Sequence, residues 1–557
     1  MKKTFTRMLI ALIATIAVGA VYFYFVLPAI NVYDQGFWVA IILAILCFSA
    51  IYGFISGKQN FVNKGNGKNF SGFAGKSLFK VGIGLVAIPV LVLVVGNLLS
   101  STFFNAEKYS TIIEVPEAVF EEDMPENDIV SNIALMDTDT ARRMGDRTLG
   151  ALSDVVSQYE INPSYKQINY VGTPQKVSNL EYADFFKWLS NRENGIPGYV
   201  MVDPVNVTEA NYVKLSSPIK YADSAFFGED LHRKLRMSYP TKIFGNYSFE
   251  VDDNGNPYYI VSCMKPRVFL FGAMDVNEVI IFNPIDGSSD IYSLDNTPAW
   301  VDNVFTGDLA AQKYDWYGTL KNGFWNSIIG NKDCKVTTND YGYIVIGDDV
   351  WFFTGVTSVT ADESNIGFII SNARTGEYKF YPVIGAEEYS AMLAAEGEVQ
   401  EKGYVASFPS LINVSGQATY IMVLKDTGGL VKLYALVNVE KYSVVATGTT
   451  QTDAKQEYIK LLKQNGILND SVPTPDQTAP KAEVKVVKTR IVTVDDDSLL
   501  YITADDGCVY KKSIMADESV MLINEGDEIE IAYSESNVEK IRNIMSWNYK
   551  IATEETE

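Results

Sequence analysis

One histidine in 557 residues leaves little room for metal or general-base chemistry. His232 excludes any two-histidine metal site and is the only candidate for a Ser-His or Cys-His pair. It stands beside Arg233 and Lys234 with no cysteine or GxSxG element nearby, so the plain reading is a solvated helix face. Cysteine is scarce as well. Cys47, Cys263, Cys334 and Cys508 are too widely spaced for a CxxC redox or zinc motif. Cys47 lies in an apolar run, and a chain this long has no need of disulfide staples, so free buried thiols are expected. No GxxxxGK[ST] loop and no GxGxxG after a strand occurs, which removes the usual nucleotide-binding signatures. No cofactor and no metal are expected. Carboxylates, serines and lysines are common enough that a carboxylate pair or a Ser-Lys dyad stays open on composition alone.

Acid is scarce at the start of the chain and base is scarce after it. The first hundred residues carry eight lysines and arginines against one acid, Asp34, whereas the rest carries 38 basic and 67 acidic side chains. The overall net charge is −22. A surface that acidic repels nucleic acid and anionic lipid headgroups, so no nucleic-acid partner is expected; solubility is explanation enough for the charge.

What the first hundred residues do have is apolar length. Met8–Ile30, Phe37–Ile55 and Val81–Leu99 are uncharged runs long enough to span a bilayer. The first is too long for the apolar part of a signal peptide, which takes ~7–15 residues, and Pro89 in the third is tolerated in membrane helices. Lys2, Lys3, Arg7 and the lysine-bearing loop over Gly57–Lys80 face the cytoplasm by the positive-inside rule, and three spans then place everything from about residue 101 outside.

The rest reads as α+β. YVMVDPVNVTEANYVKL (Tyr199–Leu215), VIIFNPIDGSSDIYSL (Val279–Leu294) and FIISNARTGEYKFY (Phe368–Tyr381) each place an apolar run, a polar turn and a second alternating strand in series, a β-hairpin written three times. DDNGN within Phe249–Ser262 is a further hairpin turn; a calcium loop needs more ligands and a terminal glutamate. Helices are expected at Thr138–Tyr159 (cap Asp137 or Thr138), Ser178–Asn191 (capping box Ser178/Glu181), Asp223–Met237, Pro298–Phe305, Ala386–Val399 and Thr452–Gln464, and strands at Ile129–Met136 and around Asp426–Gly429. Arg142, Arg143 and Arg147 lie among Asp137, Asp139 and Asp146, and read as paired surface charges rather than an anion site. Trp316–Gly330 is dense in aromatics. Trp316, Tyr317, Phe324 and Trp325 form the candidate interaction surface, for stacking on sugars or meeting a protein partner, with packing inside a domain as the rival reading.

The expected organisation is a transmembrane region over 1–100 (spans near 8–30, 37–55 and 81–99) and a stalk over 101–128. Three α+β modules follow over 129–240, 241–335 and 336–467, then a Pro/Thr/Asp linker over 468–481. A small all-β barrel of the OB or SH3-like kind fills 482–545, with strands VKVVKTRIVTVD, SLLYITADD, VYKKSIM, VMLIN and EIEIAYSE, and an acidic tail ends the chain over 546–557.

VIIFNPIDG (Val279–Gly287) and TDAKQEYIKLL (Thr452–Leu462) resemble the strand-turn and helix pieces of PepSY-type α+β modules. Ile133–Gly466 also resembles uncharacterised membrane-anchored proteins of Gram-positive gut bacteria, a resemblance that brings no known activity. The three oriented spans, the large repeat-built exterior and the lack of catalytic signatures lead to the expectation of a non-enzymatic, membrane-anchored, extracytoplasmic interaction or assembly protein of the bacterial cell envelope. Its partners would be the lipid bilayer and an envelope protein or cell-wall component. The alternative is an exported hydrolase acting on cell-wall polymer or peptide.

Overall fold

The computed structural model describes residues 2–63, 73–126, 134–205, 210–359, 364–469, 471–472, 474–494, 497–514, 517–535 and 540–550. Most of the strand expected at Ile129–Met136, the centre of the lysine loop and residues 551–557 lie outside that set.

Two N-terminal helices, α1 (Lys2–Val26) and α2 (Gln35–Asn63), are long and apolar enough to cross a membrane. A third, α3 (Phe73–Ser100), contains Pro89, packs along α2 and ends in a 50° bend into the short helix α4 (Thr102–Ser110). Helices α2 and α3 thus extend from both sides into the stretch expected as a lysine loop. The expected stalk is a correction too. Helix α4 buries Tyr109 and Ser110, and a helical turn at Phe120–Asp123 sinks Phe120 and Met124 into a core of the β-rich region, so Thr102–Met124 is fastened to that body.

After α4 the chain is mostly β-sheet with helices packed on it. The first sheet orders Tyr159–Ile161, Thr173–Tyr182, Ile196–Val202 and Ala210–Ile219, with Lys166–Tyr170 also paired to the second of these. The second is a four-strand meander, Ile243–Val251, Pro257–Val268, Gly272–Phe282 and Ser289–Ser293. Two further sheets are centred on Asp349–Ser358 with Ser364–Asn372, and on Gln417–Lys425 with Val431–Asn438. The strands of all three repeated hairpins pair, with residues 206–209 of the first turn outside the described set, and the DDNGN turn forms, where Asp252 Oδ1 accepts the N–H groups of Asn254 and Asn256. The cores run across these units. Phe249, Val251, Tyr259 and Val261 of the second sheet share one cluster with Ile168, Val177 and Val200 of the first, so the core does not divide near residue 240. Residues 336–467 hold two sheets, not one.

Helix ends follow local chemistry where tertiary structure allows. Asp137 accepts the Thr140 N–H at 2.8 Å and starts the helix Thr138–Gly150. The helix Gln451–Gln464 is capped by Thr450 and buries Ala454, Tyr458, Ile459 and Leu462 against the fourth sheet. Four expected helices do not form as read. The one expected over Thr138–Tyr159 ends at Gly150, with Tyr159 in a strand, and Asp223–Met237 is α-helical only from Leu231. Ser178 lies within a strand paired on both sides and buried on both faces; the helix starts only at Phe185, where Asp184 accepts two N–H groups. Pro298–Phe305 is irregular because its donors are taken elsewhere: Asp302 and Asn303 N–H by the Glu250 carboxylate, Val304 and Phe305 N–H by Ala373 O.

Near the C-terminus five strands, Lys481–Val494, Asp497–Ala504, Val509–Ser513, Ile541–Tyr549 and Glu528–Glu535, pair in that order, and the last pairs back to the first. They enclose a separate core around Val486, Ile502, Tyr510, Ile529 and Ile544. VMLIN is not one of them. It is a 3-10 turn over Glu518–Leu522, and the fifth strand is Ile541–Tyr549, which runs past residue 545.

Candidate interaction surface

The aromatic stretch begins on the helix Gly307–Leu320, whose cap Thr306 accepts the Leu309 N–H at 3.2 Å. That helix is pinned from below. Lys313 is buried, pairs with Asp275 at 2.9 Å and stands over the Phe305 ring. Trp316 meets Tyr109 of α4 edge to face at 4.9 Å, and the Tyr109 hydroxyl donates to Ser100 O at the end of α3. Tyr317 packs beside Tyr314 against the third sheet. Trp316 and Tyr317 are therefore packing residues, and leave the candidate surface.

Phe324 and Trp325 stay on it. The helix stops at Leu320, Gly323 turns the chain at φ 87°, and a single wide turn over Asn326–Gly330 follows. Asn326 holds this turn shut: its amide donates to Lys332 O at 2.9 Å while its side-chain oxygen accepts the Lys332 N–H at 3.2 Å. The turn pushes side chains outward. Trp325 is 63% exposed, Ile328 59% and Ile329 76%. Phe103 of α4 joins them, 5.1 Å from Phe324 and 5.9 Å from Trp325, with Phe104 against its other side. Sequence reasoning missed Phe103, Phe104, Ile328 and Ile329. The available signal was the Phe-Phe pair directly after the third apolar run.

The patch lies at the junction between helices and body, which polar contacts tie together. The turn after α1 donates Ile30 N–H to Pro240 O at 2.7 Å, and Asn31 donates to Thr241 O. Arg233 and Arg236 donate to Tyr24 O and Leu27 O, and the Arg233 guanidinium stacks on the Tyr24 ring at 4.2 Å. Ser100 Oγ accepts the Phe271 N–H at 3.0 Å. The α1–α2 turn and the end of α3 thus sit on the body's side of the helices.

Other candidates resolve into structure. His232 is half exposed, 3.3 Å from Asp223, with its ring edge to face on Tyr247. Arg143 pairs with Asp139 at 3.1 Å and donates to Gly428 O. All four cysteines are free thiols; burial raises the Cys263 thiol to about 12, which keeps it unreactive. Among the described residues no cluster of three or more His, Cys, Asp and Glu side chains is arranged to hold a metal. A groove of about 430 Å³ runs between the Gly172–Gln175 turn and the strands Gly342–Ile346 and Ser410–Val414. Pro125 and Ala134 also line it.

Besides Asp275, which is paired with Lys313, three carboxyls of the body are buried among the described residues. Burial raises Glu250 and, reinforced by the Glu250 charge, raises Asp302 well above the usual carboxylate range. Glu388, fully buried, accepts the Gly355 N–H and the Thr338 hydroxyl, yet burial still pushes it up to about 7. No protein-family model matches the chain, and no curated protein matches it.

Proposed function

We propose that this chain is a membrane-anchored, extracytoplasmic interaction or assembly protein of the bacterial cell envelope, non-enzymatic, with three spans and a cytoplasmic N-terminus. The observation that carries this reading is the attachment of the β-rich body to the helix ends at Ile30–Asn31 and Ser100, which holds a large acidic surface in one orientation at the membrane. The lysines and arginine at the start of the chain lie at the opposite end of α1 and favour the cytoplasm. The pieces resembling PepSY-type modules support a binding role: Val279–Gly287 forms a strand and turn, and Thr452–Leu462 a helix on a sheet. The hydrolase alternative needs carboxyls that meet substrate, whereas Glu250 and Asp302 are 0% and 1% exposed.

The test is accessibility. In a chain whose native cysteines are replaced by alanine, Lys402→Cys, on the exposed turn Gln400–Lys402, is treated with a membrane-impermeant maleimide on intact cells. Labelling is expected, and crosslinking in cells should then recover an envelope partner after detergent extraction. Labelling only after lysis would place the body in the cytoplasm and end this reading.

A further inference from the structure

The aromatic patch has an occupant fixed by its position. It begins three residues after Ser100, where α3 ends, and that end is a finished helix stop. Asn105 donates to Leu99 O and Ser101 O, and Ser101 donates to Leu98 O, so the last carbonyls are satisfied within the chain. Satisfied terminal carbonyls are what a helix needs where hydrocarbon gives way to headgroups. The bend then lays α4 sideways. Its Glu107 and Lys108 and its buried Tyr109 exclude it as a continuation of the span. At ~1.5 Å of rise per residue, Phe103 stands within about 5 Å of the end of α3, inside the ~5–10 Å depth that interfacial apolar side chains occupy. Phe103, Phe104 and Trp325 form a contiguous exposed aromatic cluster, and Ile328 and Ile329 are exposed on the turn that follows Trp325, unlike the isolated apolar side chains normal on a soluble surface. The aromatic-rich makeup matches the belt at membrane–water boundaries.

A second point of contact lies beside α1. Phe227 is 56% exposed, and its carbonyl accepts from Arg233, the residue whose guanidinium also binds Tyr24 O near the end of α1. Exposed aromatics thus stand beside the ends of both helices that enter the body.

We propose that Phe103, Phe104, Trp325, Ile328 and Ile329 form a foot that inserts into the headgroup boundary of the same bilayer that holds the helices, with Phe227 as a second toe, so that the body lies seated on the membrane and does not swing from a stalk. This rests on the membrane-anchored reading above and adds to it a lipid-binding surface on the exported body.

The test uses the full chain, cysteine-free apart from one introduced site, in nanodiscs of phosphatidylcholine with a minor share of phosphatidylglycerol. Nitroxide labels are placed at Ile329→Cys, at Ile13→Cys within α1 and at Lys402→Cys, and collision with oxygen is compared with collision with a water-soluble nickel chelate. The expected oxygen-to-nickel ratio at 329 is several-fold above that at 402 and approaches that at 13. An aqueous ratio at 329 with a lipid ratio at 13 overturns the foot while leaving the anchor intact. Low collision with both reagents at 329 means that protein covers the patch, which also overturns it. An aqueous ratio at both 13 and 329 means that the anchor itself fails.

Discussion

The sheet-built body and the C-terminal ring of strands solve the same packing problem in opposite ways. In the body, apolar cores pass from sheet to sheet and buried polar groups stitch them together. Glu250 of the second sheet accepts from Asp302 and Asn303, Asp302 accepts the Asn169 N–H of the first sheet, and Asn303 donates to Gln167 O. The ring has a core of its own, built almost wholly from aliphatic side chains and Tyr510. A buried pair, Lys512 with Asp453 at 3.0 Å, links it to the body. Units joined by shared cores stand or fall together, whereas a unit with its own core is independent.

Cutting the chain tests this most strongly. A chain ending at Asn469 should keep the body's melting transition, and Ala479–Lys550 made alone should melt cooperatively. A chain ending at Pro240 should show no cooperative transition, because Phe249, Val251, Tyr259, Val261, Ile280 and Phe282 are gone from its core. Calorimetry in detergent reads all three; a sharp transition for the piece ending at Pro240 would break the comparison.

Next in size is Glu250→Ala. It strands two buried backbone donors, at about 1–3 kcal/mol each, offset in part by relief of the Asp302 carboxyl. The body's transition should fall by several degrees while the ring's stays in place. A shift of both would mean that the two units are coupled.

Acidity sharpens the contrast further. Glu388 is raised in the folded state to about 7, so the native body binds a proton that the unfolded chain releases near the ordinary glutamate value. Its stabilising contribution is complete below that ordinary value and is lost as pH rises through about 7; the size is on the order of 3 kcal/mol. Glu250 and Asp302 push in the same direction. Thermal melts of the body should therefore weaken from pH 5 to pH 8, with Glu388→Gln flattening the slope, and the ring's melt should not follow. A body that grows more stable over that range would contradict the assignment.

The smallest effect is expected at the junction. Lys512→Met keeps the aliphatic stem and removes the charge paired with Asp453, whose carboxylate keeps the Thr449 and Thr450 hydroxyls as donors. Both transitions should hold, while limited proteolysis within Leu468–Pro480 should quicken. A lowered ring transition would show that the pair belongs to the ring's own stability.

Much of this architecture was legible in the residues. The apolar runs announced α1, α2 and α3 because an uncharged helix-length stretch has few other uses. The hairpins were legible because a polar turn between alternating strands is a local signal, and Asp137 because a cap acts within three residues. Ser178 and Pro298–Phe305 misled for one reason: their backbone groups found partners far away in sequence, in neighbouring strands and at Glu250 and Ala373. VMLIN reads as a strand by composition, yet Val520 and Ile523 point inward with Met521 and Leu522 outward, which suits a single tight turn.

Sequence alone determined the membrane-length apolar helices, the hairpins, the acidic composition and the scarcity of histidine and cysteine, since each depends on composition or on contacts a few residues long. Only the tertiary structure decided that the modules share cores, that Trp316 is half-buried against Tyr109 and Trp325 exposed, and that Phe103 meets Trp325 beside the end of α3. Those outcomes depend on which distant surfaces meet, and an aromatic side chain gives the same local signal whether another ring covers it or nothing does.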